Sequence, residues 1–270
     1  MKAKYFAYPY VAWMALFVVA PIILVIVYAF TTRSGSLTTA NFSAMGSYTS
    51  VFVRSFWLSA ISTVICIIIG YPTAYILARE GQKTQRIMIM LIMLPMWMNF
   101  LLRTYAWMSI LENTGLLNRF LRFIRLPELR IINTQSAVVL GMVYNFLPFM
   151  ILPIYSVIAK IDRSLVEAAQ DLGAGNSAVF RKLVLPLSLP GVLSGITMVF
   201  VPGVSTFVIS QLLGGGKEML LGDLIELQFL GSAYNPHLGS SISLVMMIIV
   251  IAFMYIMNRF GEGEERAVAL

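Results

Sequence analysis

A chain of 270 residues could make one or two soluble domains, but 59% hydrophobic against 11% charged residues leaves too few charges to cover a water-facing surface. The net charge of +7 comes with no basic stripe interleaved with aromatics, which argues against a nucleic-acid partner and fits topology signals and contact with anionic headgroups. A single cysteine, Cys66, excludes an internal disulfide.

The apolar residues fall into long runs. A bilayer core about 30 Å thick takes roughly 20 apolar residues per helix, because lipid leaves each segment to satisfy its own backbone. Six runs reach that length, near residues 8–30, 57–78, 87–111, 136–159, 187–213 and 240–258. The first follows Lys2 and Lys4 but is longer than a secretory core and ends at Phe30-Thr31-Thr32, so it is expected to remain as an uncleaved span. An even number of spans puts both termini on one side. With the N-terminus inside, Arg79, Lys83, Arg86, Lys160, Arg181, Lys182 and Arg259 join Lys2 and Lys4 in cytoplasmic segments, in keeping with the positive-inside rule.

The third run carries Trp97, Asn99, Arg103, Tyr105 and Trp107, with Glu112 at its end. A charge at the centre of a span costs about 3 kcal/mol, so Arg103 either snorkels to the outer face or acts as a gate paired with Glu112. Beyond it, Arg119, Arg122 and Arg125 stand three apart among apolar residues, the spacing of a short interfacial helix, with a partner-docking face as the alternative.

Between the fourth and fifth runs lies DRSLVEAAQDLGAGNSAVFRKLVLPLSLPG, beginning at Asp162. Ser164 and Glu167 suit a capping box, Leu165, Ala168, Ala169 and Leu172 suit one apolar helical face, and Gly173 suits the helix end. Asn176 or Ser177 is expected to cap a second short helix through Lys182, with Pro186 as its stop. A connector lying on lipid would favour basic residues and bulkier anchors. An alanine-lined face flanked by Asp162, Glu167 and Asp171 fits a groove on a soluble partner better.

In the fifth run, Pro202-Gly203 is expected to break the helix midway, and broken helices in membranes line cavities. Gly214-Gly215-Gly216 marks a hinge or tight turn. If LGDLIELQFL is helical, Asp223 and Glu226 share one face; otherwise they are solvated loop acids. His237, beside Pro236, reads as a turn residue rather than a proton relay, and the 17 methionines as apolar filler.

EAAQDLGA, followed by Phe180, Leu185-Pro186 and Pro190-Gly191, resembles the EAA loop of ABC-importer permeases, at the expected place before the penultimate span. The resemblance implies an all-α polytopic fold of the type I importer kind, one transmembrane domain over residues 1–270 with a coupling loop at about 160–186. It implies a bacterial cytoplasmic membrane location with both termini in the cytoplasm. Glu167, Ala168, Ala169, Asp171, Leu172, Gly173 and Ala174 would form the coupling helix, seated in a cytoplasmic ATPase present in two copies. ATP and magnesium would be bound there and no cofactor by this chain, consistent with the lack of a GxxxxGK(S/T) loop. A second homologous permease and an extracytoplasmic substrate-binding protein complete the implied assembly.

Gly70-Tyr71-Pro72, Pro95-Met96-Trp97-Met98-Asn99, Leu102-Arg103-Thr104-Tyr105, Leu147-Pro148-Phe149-Met150, Leu213-Gly214-Gly215-Gly216-Lys217 and Gln228-Phe229-Leu230 resemble permeases of spermidine/putrescine importers. Ammonium groups are held by aromatic faces and carboxylates. Trp97, Tyr105, Trp107, Tyr144 and Asn145 are candidates to supply the aromatic side of such a path and Glu112, Asp223 and Glu226 the carboxylates, with Asn99 and Gln211 as further path candidates. Gln211 stands where that family has an acid before its Leu-x-Gly-Gly segment. An anion importer of the sulfate or molybdate type is the alternative, since Arg103 and the outer arginines would suit it. A membrane enzyme lacks its parts: one histidine, one cysteine and no HExxH or GxSxG motif. An ion-coupled carrier is disfavoured by spans almost without acids and by the lack of an internal repeat.

Overall fold

The computed structural model describes residues 8–268, so Lys2 and Lys4 lie outside the described residues. Among those described, the chain is helical, with one isolated bridge between Thr31 and Leu37. The elements are α1 (Tyr8–Ala29), α2 (Thr49–Arg79), α3 (Gln82–Trp97), α4 (Phe100–Leu111), α5 (Leu116–Phe123) and α6 (Gln135–Ile158). There follow α7 (Arg163–Asp171), α8 (Asn176–Ser205), α9 (Val208–Gly214), α10 (Leu221–Phe229) and α11 (Pro236–Val268).

Five helices are long and apolar enough to cross a membrane: α1, α2 (with the short turn before it), α6, α8 and α11. The expected third span is not one helix. α3 passes the same test only together with Phe100–Phe123, the stretch that holds α4 and α5, the two bent by 90° at Met98 and Asn99. The apolar run is continuous across the break, so periodicity gives no warning of it. Asn99 causes it locally, because its side-chain oxygen accepts from Leu101 N (2.9 Å) and Leu102 N (3.2 Å) and so starts a new helix.

The core is the trio α2, α6 and α8, which pack on one another along most of their length. Leu58, Cys66 and Ala74 of α2 meet Met142, Met150 and Ile154 of α6 and Val199 of α8. Small residues set the approach. A Cβ on Gly191 would meet Pro153 O at 2.9 Å and Ile154 Cα at 3.1 Å, so α8 and α6 touch backbone to backbone there. Hydroxyls inside the trio find partners there: Thr63 Oγ1 donates to Ser59 O of its own helix (2.7 Å), and Tyr71 Oη of α2 pairs with Ser188 Oγ of α8 (2.8 Å). α1 packs chiefly along α11 and is tied at the end remote from α7, where His237 Nδ1 meets Tyr28 O (3.1 Å). His237 is thus the second residue of α11 and a tether, rather than a turn residue.

Two prolines expected to break helices do not. Pro186 lies inside α8, because a π turn over Phe180–Val184 precedes it, with Leu185 N donating to Phe180 O. Widening the helix there accommodates the ring and its missing donor. α1 uses the same device, a π turn over Ala15–Val19 before Pro21. Pro202 is also carried within α8, which ends at Ser205, so the break falls at Thr206-Phe207 rather than at Pro202-Gly203. Gly203 serves packing, lying against Ser59 of α2. The arginine-rich segment forms α5 around Arg119 and Arg122, while Arg125 falls beyond it at a φ of 60°. Arg122 pairs with Glu128 at 2.6 Å.

Replacing Gly191 by valine should push α8 off α6 and destabilise the detergent-solubilised protein by about 1–3 kcal/mol, the usual cost of overpacking. A thermal unfolding midpoint equal to that of the parent protein would contradict the backbone contact.

Candidate functional site

At one end of the bundle, α7 and the start of α8 form a projecting loop. The N-cap of α7 is Asp162, whose Oδ1 accepts from Ser164 N (3.0 Å), and this bond holds the Asp162 carboxyl below its usual range. The expected Ser164–Glu167 capping box therefore does not form: an aspartate two residues earlier takes the cap. The helix closes as expected at Gly173, where φ is +87°. Ala174 N bonds Ala169 O (3.0 Å) and Gly173 N bonds Gln170 O (2.8 Å), a Schellman closure. Gly175, not Asn176 or Ser177, stands at the N-cap that follows.

The apolar residues of α7 divide between two faces. Val166 and Ala169, with Ala174, pack on the core, whereas Leu165, Ala168 and Leu172 face outward, Leu172 at 89% exposure. The single face expected over Leu165, Ala168, Ala169 and Leu172 is thus split, and its larger part has no partner among the described residues. Behind α7 lies a cavity of about 810 Å³, walled by Tyr75, Arg79, Glu80 and Gln85 and by Glu167 and Gln170. Phe180, at the start of the π turn, sits edge-on to Tyr71 (5.8 Å between centroids) and Tyr75 (5.2 Å) of α2. Arg79 stacks on Tyr75 at 4.2 Å. Sequence reading singled out none of Tyr71, Tyr75 and Arg79 for this joint, because aromatic contacts between distant segments leave no local pattern.

Near the α3–α4 bend, the third-run candidates part company. Arg103 is only 8% exposed, donates through Nη1 to Pro95 O and lies between the rings of Phe100 and Tyr144, 5.8 and 5.7 Å from their centroids. Its Nε has no hydrogen-bond partner among the described residues. It neither snorkels nor pairs with Glu112, which is exposed past the end of α4; the ion pairs among the described residues are Arg54–Glu218 and Arg122–Glu128. Tyr144 packs edge-on to Trp107 at 5.1 Å. Asn145 is buried, donating to Gly141 O (2.8 Å). Trp97 and Tyr105 are exposed, and Asn99 is occupied as a helix cap.

At the end remote from α7, α9 and α10 bring Gln211, Asp223 and Glu226 together on a cleft of about 290 Å³. LGDLIELQFL is helical, and both acids lie on one face of it, as the spacing predicts. α10 is held at its start by two side chains: Ser55 Oγ of α2 accepts from Leu221 N (2.8 Å) and Asp223 Oδ2 from Leu220 N (2.7 Å). A Cβ on Gly222 would collide with the carbonyls of Ser205 and Thr206, so α10 begins directly against the end of α8. Gln211 Nε2 donates to Glu226 Oε2. Asp223 is 7% exposed, and its Oδ1 has no hydrogen-bond partner among the described residues. Burial, helped by the neighbouring Glu226 charge, outweighs the bond from the Leu220 amide and pushes its carboxyl up to about 6. α9 starts this arrangement from the break at Thr206-Phe207, and Gly215 and Gly216 turn the chain after it at φ of +59° and +73°.

Residues 44–263 match the family described as the binding-protein-dependent transport system inner membrane component. The chain belongs to this permease family. The permease is 37% identical over 269 residues to the spermidine/putrescine transport system permease protein PotB of Haemophilus influenzae, covering 96% of this chain and 94% of that one. It is 35% identical over 270 residues to PotB of Escherichia coli, covering 96% and 98%. Among solved structures, a bacterial ABC transporter that imports the acidic polysaccharide alginate superposes with a TM-score of 0.82 at 14% identity, covering 96% and 94%. The MetNI methionine ABC transporter does so at 0.61 and 17%, covering 82% and 98%. These likenesses carry the type I importer fold for the permease, and it is an inner-membrane, multi-pass protein.

Removing the Ser55 hydroxyl (Ser55→Ala) strands the buried Leu221 amide and should cost the permease about 1–3 kcal/mol of stability. Thermal unfolding of the purified protein reads this, and an unchanged midpoint would mean that α10 does not depend on α2.

Proposed function

We propose that this permease forms half of the pore of an ATP-driven importer of polyamines, spermidine or putrescine. The observation that carries the reading is 35–37% identity over almost the whole chain to permeases named for those substrates. The far-end cleft supports it independently. Asp223 and Glu226 face it without a cationic partner among the described residues, a setting that attracts ammonium groups and repels sulfate. Arg103, on which an anion importer would rely, is turned instead to Pro95 O and two aromatic rings.

In this reading the chain performs no chemistry of its own. A cytoplasmic ATPase, in two copies, binds ATP and magnesium and receives α7. Its contact is the outward stripe Leu165, Ala168 and Leu172, bordered by Glu167 and Asp171 and closed by Gly173 and Ala174. A second homologous permease completes the pore, and a binding protein delivers substrate at the far end, with both termini of this chain in the cytoplasm. Displacement of α7 passes through Val166 and Ala169 to the core and through Phe180 to Tyr71 and Tyr75, so that α2 moves with the loop. Substrate passes the aromatic and amide groups Trp97, Tyr105, Tyr144 and Asn145, and the polar groups Gln211, Asp223 and Glu226. Asn99 contributes through the α3–α4 bend, and Glu112, exposed past the end of α4, is a further polar group of the path.

Cells carrying the complete transporter should take up labelled spermidine in competition with putrescine but not with sulfate. Uptake of sulfate without polyamines would replace this substrate assignment by the anion one. Gly173→Leu forces a branched side chain to a positive φ, a strain of about 1–2 kcal/mol, and should abolish uptake and co-purification of the ATPase while membrane insertion persists. Leu172→Asp should do the same without backbone strain. Wild-type uptake by both variants would remove α7 from the coupling role.

A further inference from the structure

The α9–α10 cleft is built rather than incidental. Asp223, Glu226 and Leu227 stand at i, i+3 and i+4 and so share one face of α10, which forms a wall of the cleft, and Leu230, just past the end of the helix, continues the lining. The opposite face, Leu221 and Leu224, is buried against Val204, Leu238 and Ile242, which fixes the rotation of the helix. The carboxylates therefore cannot turn to bulk water by a roll of α10. One Asp223 oxygen is occupied by the Leu220 amide, while the other, buried in a residue only 7% exposed, has no partner. A buried carboxylate oxygen without a donor is costly, and it belongs to a residue that lines the cleft.

The chemistry of the cleft narrows what would satisfy it. Two carboxylates and a glutamine amide oxygen call for a cation with several N–H donors. Among the described residues no three His, Cys, Asp or Glu side chains gather as a metal would require, and hard divalent ions take six or more oxygens. The remaining walls, including Met219, Leu227 and Leu230, are apolar, and the cleft, at about 290 Å³, has room for far more than a bare ion. We propose that this cleft binds a terminal alkylammonium group, its N–H donors shared by Asp223 and Glu226 and its methylene chain laid against Met219, Leu227 and Leu230. This deepens, and rests on, the polyamine reading of the permease. Gln211 acts as a positioning residue, its amide holding Glu226 toward Asp223 across the cleft.

The test uses the complete transporter in lipid nanodiscs, with putrescine as the probe. Cys66 is buried, so a cysteine placed at Leu230, which is 83% exposed at the mouth of the cleft, is the one accessible thiol that this chain contributes. Putrescine should slow maleimide labelling of Leu230→Cys, whereas succinate, of similar length but opposite charge, should not. Adding Glu226→Gln should raise the putrescine concentration needed for half-protection about tenfold, as should Asp223→Asn, each removing one charge-assisted bond. Glu128→Gln, in an acid outside the cleft, should leave it unchanged. Because Glu226 is less buried than Asp223, its variant keeps the test decisive if Asp223→Asn fails to fold. Polyamine uptake by the parent transporter with no protection of the introduced thiol, or with protection indifferent to both acids, overturns the cleft assignment and leaves the polyamine reading intact. Absence of both polyamine uptake and protection overturns the polyamine reading and the cleft with it.

Discussion

Every peptide group in a lipid-embedded segment must find a partner within the protein, and this constraint organises the molecule. Unbroken helices meet it by themselves. The bend at Met98-Asn99 and the turn between α9 and α10 do not, and at each of them named side chains take up backbone groups. At Met98-Asn99 the Asn99 side-chain carbonyl caps α4, and Arg103 reaches back to Pro95 O. At the α9–α10 turn, Ser55 and Asp223 receive the first amides of α10. The repairs lie beside the places where the chain leaves its helical course and opens polar groups toward a cleft. Interruption and polar lining are therefore one event: a side chain that satisfies stray backbone also brings chemistry into an apolar setting.

The same logic explains the difference between the two ends of the bundle. At the α7 end the chain leaves the membrane, so capping is supplied by an ordinary aspartate and a glycine closure, and the outward apolar stripe is left over. At the far end the helices α9 and α10 are short, and they hold their place by packing rather than by their own length, α9 on α6 and α4 and α10 on α11 and α8. Between the ends, the trio α2, α6 and α8 is joined by backbone-close contacts at glycines, so the two ends are connected through a stiff unit.

Much of this was legible in the sequence. Run length located the five unbroken spans, spacing placed Asp223 and Glu226 on one face, and Gly173 marked the end of α7 because only a positive φ closes that turn. What failed did so for physical reasons. Met98-Asn99 hides inside an uninterrupted apolar run, and Asn99 looks like any polar residue until its side chain is seen to accept two amides. Ser164 has capping-box spacing, but Asp162 takes the cap first. Pro186 and Pro202 read as breaks because local rules assume an α turn around them. The buried arrangement of Arg103 and the Phe180–Tyr71–Tyr75 joint depend on residues far apart in sequence, which no local pattern records.

The π turn ahead of Pro186 has a consequence for phase. In an ideal α-helix each residue advances by about 100°, so Phe180 and Ser188, eight apart, would diverge by roughly 80° around the axis. Both nevertheless reach Tyr71, one by its ring and the other by its hydroxyl. The extra residue absorbed by the π turn makes them effectively seven apart, within about 20° of one line. The wide turn is therefore what lets both grips fall on one side of α8; drawn in to an ordinary α turn, Phe180 and Ser188 would part and one hold on Tyr71 would be lost. The junction between loop and span thus acts as a keyed joint, seated on α2 by the pitch of a single turn.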